Sequence, residues 1–536
     1  MQVLYNRGLS TAAEIRRFLS SDPDGGLHDP FDLPDMHVAI ERIRRAISHG
    51  EGIAVFGDFD VDGICSAAVI MRALEGQGAR PRVYIPHRVD EGYGLNKGAI
   101  TRLAEEGVTL LITADCGTSS VSEIAHARSL GMDVIVTDHH SVPDLLPPAV
   151  AILNPHRPDS AYPFPDLAGA GVAYLLACAL QGNASGPHSA VEDLDLVALG
   201  TVVDVAPLRG ENRSLVRLGL DRMRASPRPG LKALMDVAHI KPDQVDSASL
   251  GFALGPRLNA AGRLDTAMTS YDLLLSPSAE QAAPLARRLN ELNLERQTLL
   301  EAALSAASSE AAEQVQRSPL IFVSSAAYRA GIVGLVAGRL AEQFYRPAVA
   351  VELGEATSRG SCRSIPEFNI ALALDECKDL LERHGGHAQA AGFTVRTDRL
   401  ILLQERLVAA ARRLLEGQTL EAAIRVDSVI PLSQATWESL GWIKRMAPFG
   451  MGNPAPVFQS NGVPVRYIKP LRNGHLRFNV SDGRVTWPAI AFRQAEWAGA
   501  LHDGDKVDIV YNLQENTWNG ETTLQLEVKD LRRTAM

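Results

Sequence analysis

At 536 residues the chain is long enough for about three or four domains of roughly 100–200 residues, which excludes a single compact globule. Hydrophobic residues at 46% and charged residues at 22% exclude global disorder, and no window approaches the roughly 18 uninterrupted apolar residues of a membrane span. The formal charge of −10 would exclude a nucleic-acid partner only if it were evenly spread; residues 418–536 carry 13 Lys+Arg against 12 Asp+Glu, a net of +1, which leaves −11 on residues 1–417.

The N-terminus MQVLYNRGLSTAAEIRRFL has charges where a signal peptide needs its apolar stretch, so a cytoplasmic protein is expected, with residues 1–48 as a lead-in. IAVFG (53–57) reads as a strand ending in Gly and acidic residues, followed by a small-residue helix from about Ser66 to Leu74. The rhythm returns with RVYIP (82–86), TLLITAD (109–115) and MDVIVTDHH (132–140), each preceded by a helical stretch. Such alternation predicts a parallel sheet with helices on its faces and ligand sites at the carboxyl ends of the strands. Residues 165–270 read as helical and end in the loop-like, Gly-bearing GPRLNAAGR (255–263), which completes a first α/β domain over 49–270.

Residues 278–316 have almost no Gly or Pro and carry apolar residues at helical spacing, so 271–317 is a connection built on one long helix. PLIFVSS (319–325), PAVAVEL (347–353) and FTVRT restart the α/β rhythm in a second domain over 318–415. From 425 onward, short β-like runs are divided by turn residues such as Asn-Gly and Asp-Gly, so 418–536 is expected to be a small all-β barrel or sandwich. The five cysteines are odd in number, scattered and never in a CxxC pair, which argues against disulfides and structural zinc.

Acidic residues mark the ends of the predicted strands. Asp58, Asp60 and Asp62 alternate in GDFDVDG, Asp115 ends ITAD, Asp138 with His139 and His140 ends IVTDHH, and Asp204 ends GTVVD. Any one of these aspartates is explained as a helix cap or turn residue. Four separate strand ends are better explained by a carboxylate cluster, which is costly to desolvate unless cations sit within it. Carboxylates with one or two imidazoles suit Mn²⁺ or Mg²⁺ better than zinc, and a two-metal centre for phosphoryl chemistry is the expectation.

GDFDVDG (57–63), TADCG (113–117), TDHH (137–140) and GTVVDVAPL (200–208), in that order, resemble the four motifs of the DHH phosphoesterase superfamily. LHDPFDLPDM (27–36), IPHRVDEGYGL (85–95), GPRLNAAGR, GSCRS (360–364), GGHAQAAG (385–392) and APFGMGNPAPVF (447–458) narrow the resemblance to the RecJ family of single-strand-specific exonucleases. It implies a DHH domain, a DHH-associated domain and an OB-fold nucleic-acid-binding domain. It implies that Asp58, Asp60 and Asp115 hold one metal and that Asp62, Asp115, His139 and Asp204 hold the other, with Asp115 bridging. Asp115, His139, Asp138 and His140 would form the catalytic group, with Asp138 and His140 behind the ligands or facing substrate; for His140 a satisfied place behind the ligands and direct catalysis are both open. Arg88, Arg257 and Arg263 would recognise a 5′-terminal phosphate and the neighbouring backbone, and Asn259 would be a positioning residue. Ser361, Arg363 and Ser364 of a GSCRS loop, and His387 with the backbone of GGHAQAAG, would add phosphate contacts. One departure stands out: family members often have His-Glu-Gly where this chain reads Arg329-Ala330-Gly331.

The activity implied is metal-dependent 5′→3′ hydrolysis of single-stranded DNA in repair and recombination, in a cleft too narrow for duplex. A monomer is implied, with a helicase and a single-strand-binding protein as partners and no membrane. The rivals are a DHH phosphoesterase on short oligonucleotides or cyclic dinucleotides, and a non-catalytic DNA-binding scaffold. Family members often have a longer lead-in, which leaves open whether Met1 is the true start. All five tryptophans (Trp437, Trp442, Trp487, Trp497, Trp518) and the run Arg466, Lys469, Arg472, Arg477, Arg484, Arg493 fall in the β-rich tail. Tyr467, Phe478 and Trp487 compete there as base-stacking candidates.

Overall fold

The computed structural model describes residues 2–20, 26–88, 90–182, 191–518 and 520–534. The chain divides into two compact units: His28–Ala206 with Gly210–Ala422, and Met1–Leu27 with Pro207–Arg209 and Ala423–Met536.

In the larger unit, β1 (Gly52–Gly57), β2 (Arg82–Tyr84), β3 (Val108–Ala114), β4 (Asp133–Thr137) and β5 (Ala151–Leu153) form a parallel sheet in the order β2-β1-β3-β4-β5. The central strands are buried along almost their whole length, as expected where helices cover both faces. Strand order reverses between β1 and β3, so a crevice opens beyond their carboxyl ends. Asp58 follows β1 there and Asp115 follows β3.

Two sequence readings are corrected in the helical block. GTVVD is not a strand end: Asp204 caps the buried helix Leu194–Val203, because a ten-residue apolar run buried all round has neither period to separate helix from strand. GPRLNAAGR is not a loop but the helix Gly255–Leu264, entered through a π-helical turn at Leu250–Leu254. Pro256 sits in its first turn, where proline's missing N–H costs nothing, and Gly262 packs closely on the Phe59 carbonyl.

The helix Ala279–Gln314 runs for 36 residues and leads to the second sheet. There β6 (Ile321–Ser325), β7 (Ala348–Glu352), β8 (Thr357–Arg363), β9 (Leu381–His387) and β10 (Ala390–Arg396) lie in the order β6-β7-β8-β10-β9, with only β6 and β7 parallel. GSCRS is therefore on a strand rather than in a loop, and GGHAQAAG is a hairpin whose backbone pairs Gly385 with Gly392 and Gly386 with Ala391.

The smaller unit is a barrel. β11 (Ser428–Val429), β12 (Phe458–Leu471), β13 (His475–Ser481), β14 (Thr486–Ala491), β15 (Lys506–Trp518) and β16 (Glu521–Arg533) follow the order β11-β12-β13-β14-β16-β15, and β12 pairs with β15 to close it. Val465, Phe478, Val480, Ile509, Tyr511 and Leu526 fill its core. Phe478, only 1% exposed, is thus a core residue and is removed as a stacking candidate. The N-terminal helices belong with this unit: Arg7 Nε and Nη2 donate to the two Asp427 carboxylate oxygens at 2.7 and 2.8 Å. The lead-in is accordingly divided, since the helix Met36–His49 lies in the α/β unit. All five cysteines are buried and free. The Trp518 side chain lies outside the described residues.

Candidate metal centre and substrate cavity

Asp60 behaves as a helix cap, its Oδ1 accepting from the Asp62 and Gly63 N–H groups at 3.0 and 3.1 Å. Capping also points the helix Val61–Gly76 at the crevice. Asp62 is held more firmly, accepting from the Gly169 and Ala170 N–H groups at 2.7 and 2.9 Å at the start of the helix Gly169–Gln181. Glycine makes this cluster sterically possible. A Cβ at Gly169 would lie 2.5 Å from Asp115 Oδ1, one at Gly200 would lie 2.5 Å from Asp62 Oδ1, and one at Gly63 would lie 2.6 Å from Asp58 Cβ.

The donor atoms gather into overlapping groups: Asp58, Asp60 and Asp115; Asp62, His139 and Asp204; and Asp115, His139 and His140, each within 4.8 Å. His139 Nε2 lies 3.1 Å from Asp115 Oδ1, 3.8 Å from Asp62 Oδ2 and 3.9 Å from Asp204 Oδ2. Despite the closeness of His139 to Asp115, no hydrogen bond of acceptable geometry joins them. Asp58 Oδ1, Asp115 Oδ1 and His139 Nε2 are buried and unsatisfied. Such groups are costly without a partner. Two of the residues around them are also strained: Asp115 has φ +64° and Val205, next to Asp204, has φ +66°, which is unusual for a β-branched side chain.

Burial first, and then neighbouring carboxylates, pushes the Asp58 and Asp115 carboxyls well above their ordinary range. Asp62 is raised by burial against the opposing charge of His139, and burial takes Asp204 up to about 7. Anions that resist ionising side by side are a fit for cations among them. Asp138 is the exception. Burial favours its neutral form, but His140 Nδ1 at 2.7 Å from Oδ1 and the Thr118, His139 and His140 N–H groups outweigh that and hold it below the usual carboxylate range. The same pairing overcomes the burial of His140 and raises it to about 9. Tyr93 adds a hydroxyl 3.3 Å from the His140 ring nitrogens.

A cavity of about 600 Å³ lies between the two α/β sheets. Arg88, Arg263, Ser361 and Arg363 line it, and Arg88 also stacks over Phe59 at 4.6 Å. Arg263 is fixed by donating to Gly331 O at 2.9 Å, and burial with the nearby Arg88 lowers it to about 9. Arg329-Ala330-Gly331 therefore bears on this site through small residues: Ala330 and Gly331 line the cavity, while Arg329 approaches Glu295 at 3.6 Å.

The other predicted contacts lie elsewhere. Arg257 donates to Asn290 Oδ1 and Ala253 O, and Asn259 is half-buried on the same helix, one turn before Arg263. Ser364 spends its hydroxyl on Phe368 O at 2.6 Å. His387 is exposed at the hairpin end and does not line the cavity, which Arg383 and His384 of the same strand do. Arg359, Arg383, His384, Phe59 and Tyr93 were not singled out from sequence. The alternation Arg359, Ser361, Arg363 around GSCRS was the available signal, since every second residue of a strand shares a face.

The DHH family N-terminal domain matches residues 52–201, the DHHA1 domain 318–416 and the RecJ OB domain 426–530. The single-stranded-DNA-specific exonuclease RecJ of Bacillus subtilis (strain 168) is 37% identical over 537 residues, covering 98% of this chain and 67% of the relative. The protein of that name from Escherichia coli (strain K12) is 34% identical over 565 residues, covering 98% and 94%. Among solved structures, RecJ from Thermus thermophilus in complex with Mn²⁺ is similar with a TM-score of 0.82 at 30% identity, covering 94% of this chain and 72% of that one. Three domain matches in order and this identity over nearly the full length show that the chain belongs to the RecJ family.

Proposed function

We propose that the chain is a metal-dependent exonuclease that removes nucleotides from the 5′ end of single-stranded DNA, acting in the cytoplasm in repair and recombination. The observation that carries this reading is the trio of buried, unsatisfied atoms, Asp58 Oδ1, Asp115 Oδ1 and His139 Nε2, at the focus of the carboxylate cluster. The donor set fits Mn²⁺ or Mg²⁺: Asp58, Asp60 and Asp115 for one ion, and Asp62, Asp115, His139 and Asp204 for the other. Bound there, such ions supply Lewis-acid activation of water and neutralise charge on the scissile phosphate. The chain's own part is positional. Asp138 fixes the ring orientation of His140, the Gly169 and Ala170 N–H groups fix Asp62, and Arg88, Arg263 and Arg363 supply positive charge beside Ser361.

A terminal phosphate in that arginine pocket would set the polarity, and the contact between Arg263 and Gly331 across the cleft supports a passage that admits one strand. The barrel supports long rather than dinucleotide substrates, since its run of six basic residues makes no ion pair among the described residues. No helix among the described residues is long and apolar enough to cross a membrane. Action as a monomer, alongside a helicase and a single-strand-binding protein, completes the reading. The test compares 5′-phosphorylated and 5′-hydroxyl single strands, each labelled at the 3′ end, with blunt duplex under Mn²⁺ and Mg²⁺. Mononucleotides released from the 5′ end of single strands alone are expected; release from 3′ ends, or equal attack on duplex, overturns the proposal.

A further inference from the structure

The cavity beside the carboxylate cluster holds more positive charge than one terminal phosphate needs. Besides the arginines already described, Arg359 and Arg383 line it. The strand register sets their positions. Arg359, Thr394 and Arg383 form one row across β8, β10 and β9, and Ser361, Gly392 and Gly385 form the row two residues along. Rows two residues apart share a face and are separated by about 7 Å. The row of Arg359 and Arg383 thus extends the floor of the arginine pocket away from Arg363, and the row between is built of small residues. The two acids of the lining have partners of their own: Asp90 lies 2.8 Å from His87 Nδ1, and Glu91 accepts from Tyr84, Asn96 and the His87 N–H. The Arg383 side chain makes neither a hydrogen bond nor an ion pair with another described residue.

We infer that this extension is a subsite for the outer phosphates of a 5′-polyphosphorylated strand, Arg359 and Arg383 receiving the β- and γ-phosphates while the α-phosphate occupies the pocket of Arg88, Arg263, Ser361 and Arg363. The inference rests on the 5′-end reading above and names a substrate class for it. Hydrolysis leaves the anhydride bonds intact. The water oxygen bonds to the phosphorus between the first and second nucleotides, the bond from that phosphorus to O3′ breaks, and one proton ends on O3′. The first product is a nucleoside 5′-triphosphate with a free 3′-hydroxyl. The shortened strand carries an ordinary 5′-monophosphate, so every later product is a mononucleotide.

The experiment uses the full chain with Mn²⁺ and one oligodeoxynucleotide bearing a 5′-triphosphate, a 5′-monophosphate or a 5′-hydroxyl, with products resolved by anion exchange and mass spectrometry. Charge-assisted contacts should lower KM for the triphosphate strand about tenfold relative to the monophosphate strand, and the first product should be a nucleoside triphosphate. The paired substitutions Arg359→Gln and Arg383→Gln should remove that tenfold advantage while monophosphate turnover stays within about twofold. Slower degradation of the triphosphate strand, release of pyrophosphate ahead of nucleotides, or equal loss on both substrates in the variant overturns the subsite. If the monophosphate strand itself shows no advantage over the hydroxyl strand, the terminal-phosphate reading of the arginine pocket fails instead.

Discussion

Asp115 concentrates the demands on the carboxylate cluster: it holds a left-handed backbone at φ +64°, faces a glycine where a Cβ would sit 2.5 Å from its Oδ1, and leaves that oxygen buried and unsatisfied. A cation held by that oxygen would offset the cost of burying it. Asp115→Asn should therefore abolish hydrolysis and weaken Mn²⁺ binding, read by electron paramagnetic resonance of the free ion. The melting temperature without metal should hold or rise as a buried negative charge is lost; near-wild-type turnover at saturating Mn²⁺ would contradict the ligand assignment. Glu211 presents the same physics away from the cluster. It is buried, accepts from Tyr162 Oη at 2.8 Å and the His28 N–H at 3.1 Å, and is pushed by burial up to about 7. A folded-state pKa above the unfolded one means that the native chain binds the extra proton, so stability falls as pH rises from about 4.5 through about 7. Glu211→Gln keeps an acceptor without the charge. Its melting temperature relative to wild type should climb between about pH 5 and about pH 8, and a constant difference would show that the carboxyl is not strained.

The helix Ala330–Phe344 meets the helix Gly255–Leu264 at a glycine, where a Cβ on Gly331 would collide with the Arg263 carbonyl oxygen. The same peptide accepts the Arg263 guanidinium. Gly331→Ala should push the two helices apart and misplace Arg263, so KM for 5′-phosphorylated strands should rise severalfold while the 5′-hydroxyl strand is little changed. An equal rise for both ends would mean that the contact only holds the fold. At this scale the sequence is legible where a short apolar run is closed by turn and acidic residues, and ambiguous where an apolar run has no period or turn-forming residues serve close packing. The strands β1, β3 and β4 end at Asp58, Asp115 and Asp138 as their apolar runs suggest. GTVVD has the same composition but lies in a buried helix, and GPRLNAAGR, with turn-forming residues, is helical because Pro256 is tolerated in the first turn and its glycines serve close packing. The carboxylate cluster was legible because unlike elements all present aspartates to one crevice. The cavity's far wall was not, because Arg359 and Arg383 are brought together only by strand register.

Across the whole molecule, net charge is unevenly divided, −11 on residues 1–417 and +1 on residues 418–536. On the barrel, Lys469 of β12 stands directly opposite Arg477 of β13, a like-charge pair that weakens the sheet unless an anion lies against it. Arg466, Arg472, Arg484 and Arg493 are exposed nearby, and Tyr467, 71% exposed at φ +54°, is the aromatic best placed to offer a face to a base. Trp487 is half-buried against the core with its indole N–H toward Leu432 O, which leaves it less free. These two kinds of residue should separate in a salt titration of binding to a long single strand. Arg477→Gln removes one phosphate contact and should reduce the slope of log K against log salt by roughly 0.7, with stability unchanged or slightly improved as the repulsion with Lys469 is relieved. Tyr467→Ala should cost about 1–3 kcal/mol of binding through lost stacking with the slope nearly unchanged. Both measurements use a catalytically silent Asp115→Asn background so that the strand survives. If neither variant alters affinity, the barrel is structural, and the reading in which the enzyme works on short oligonucleotides regains force.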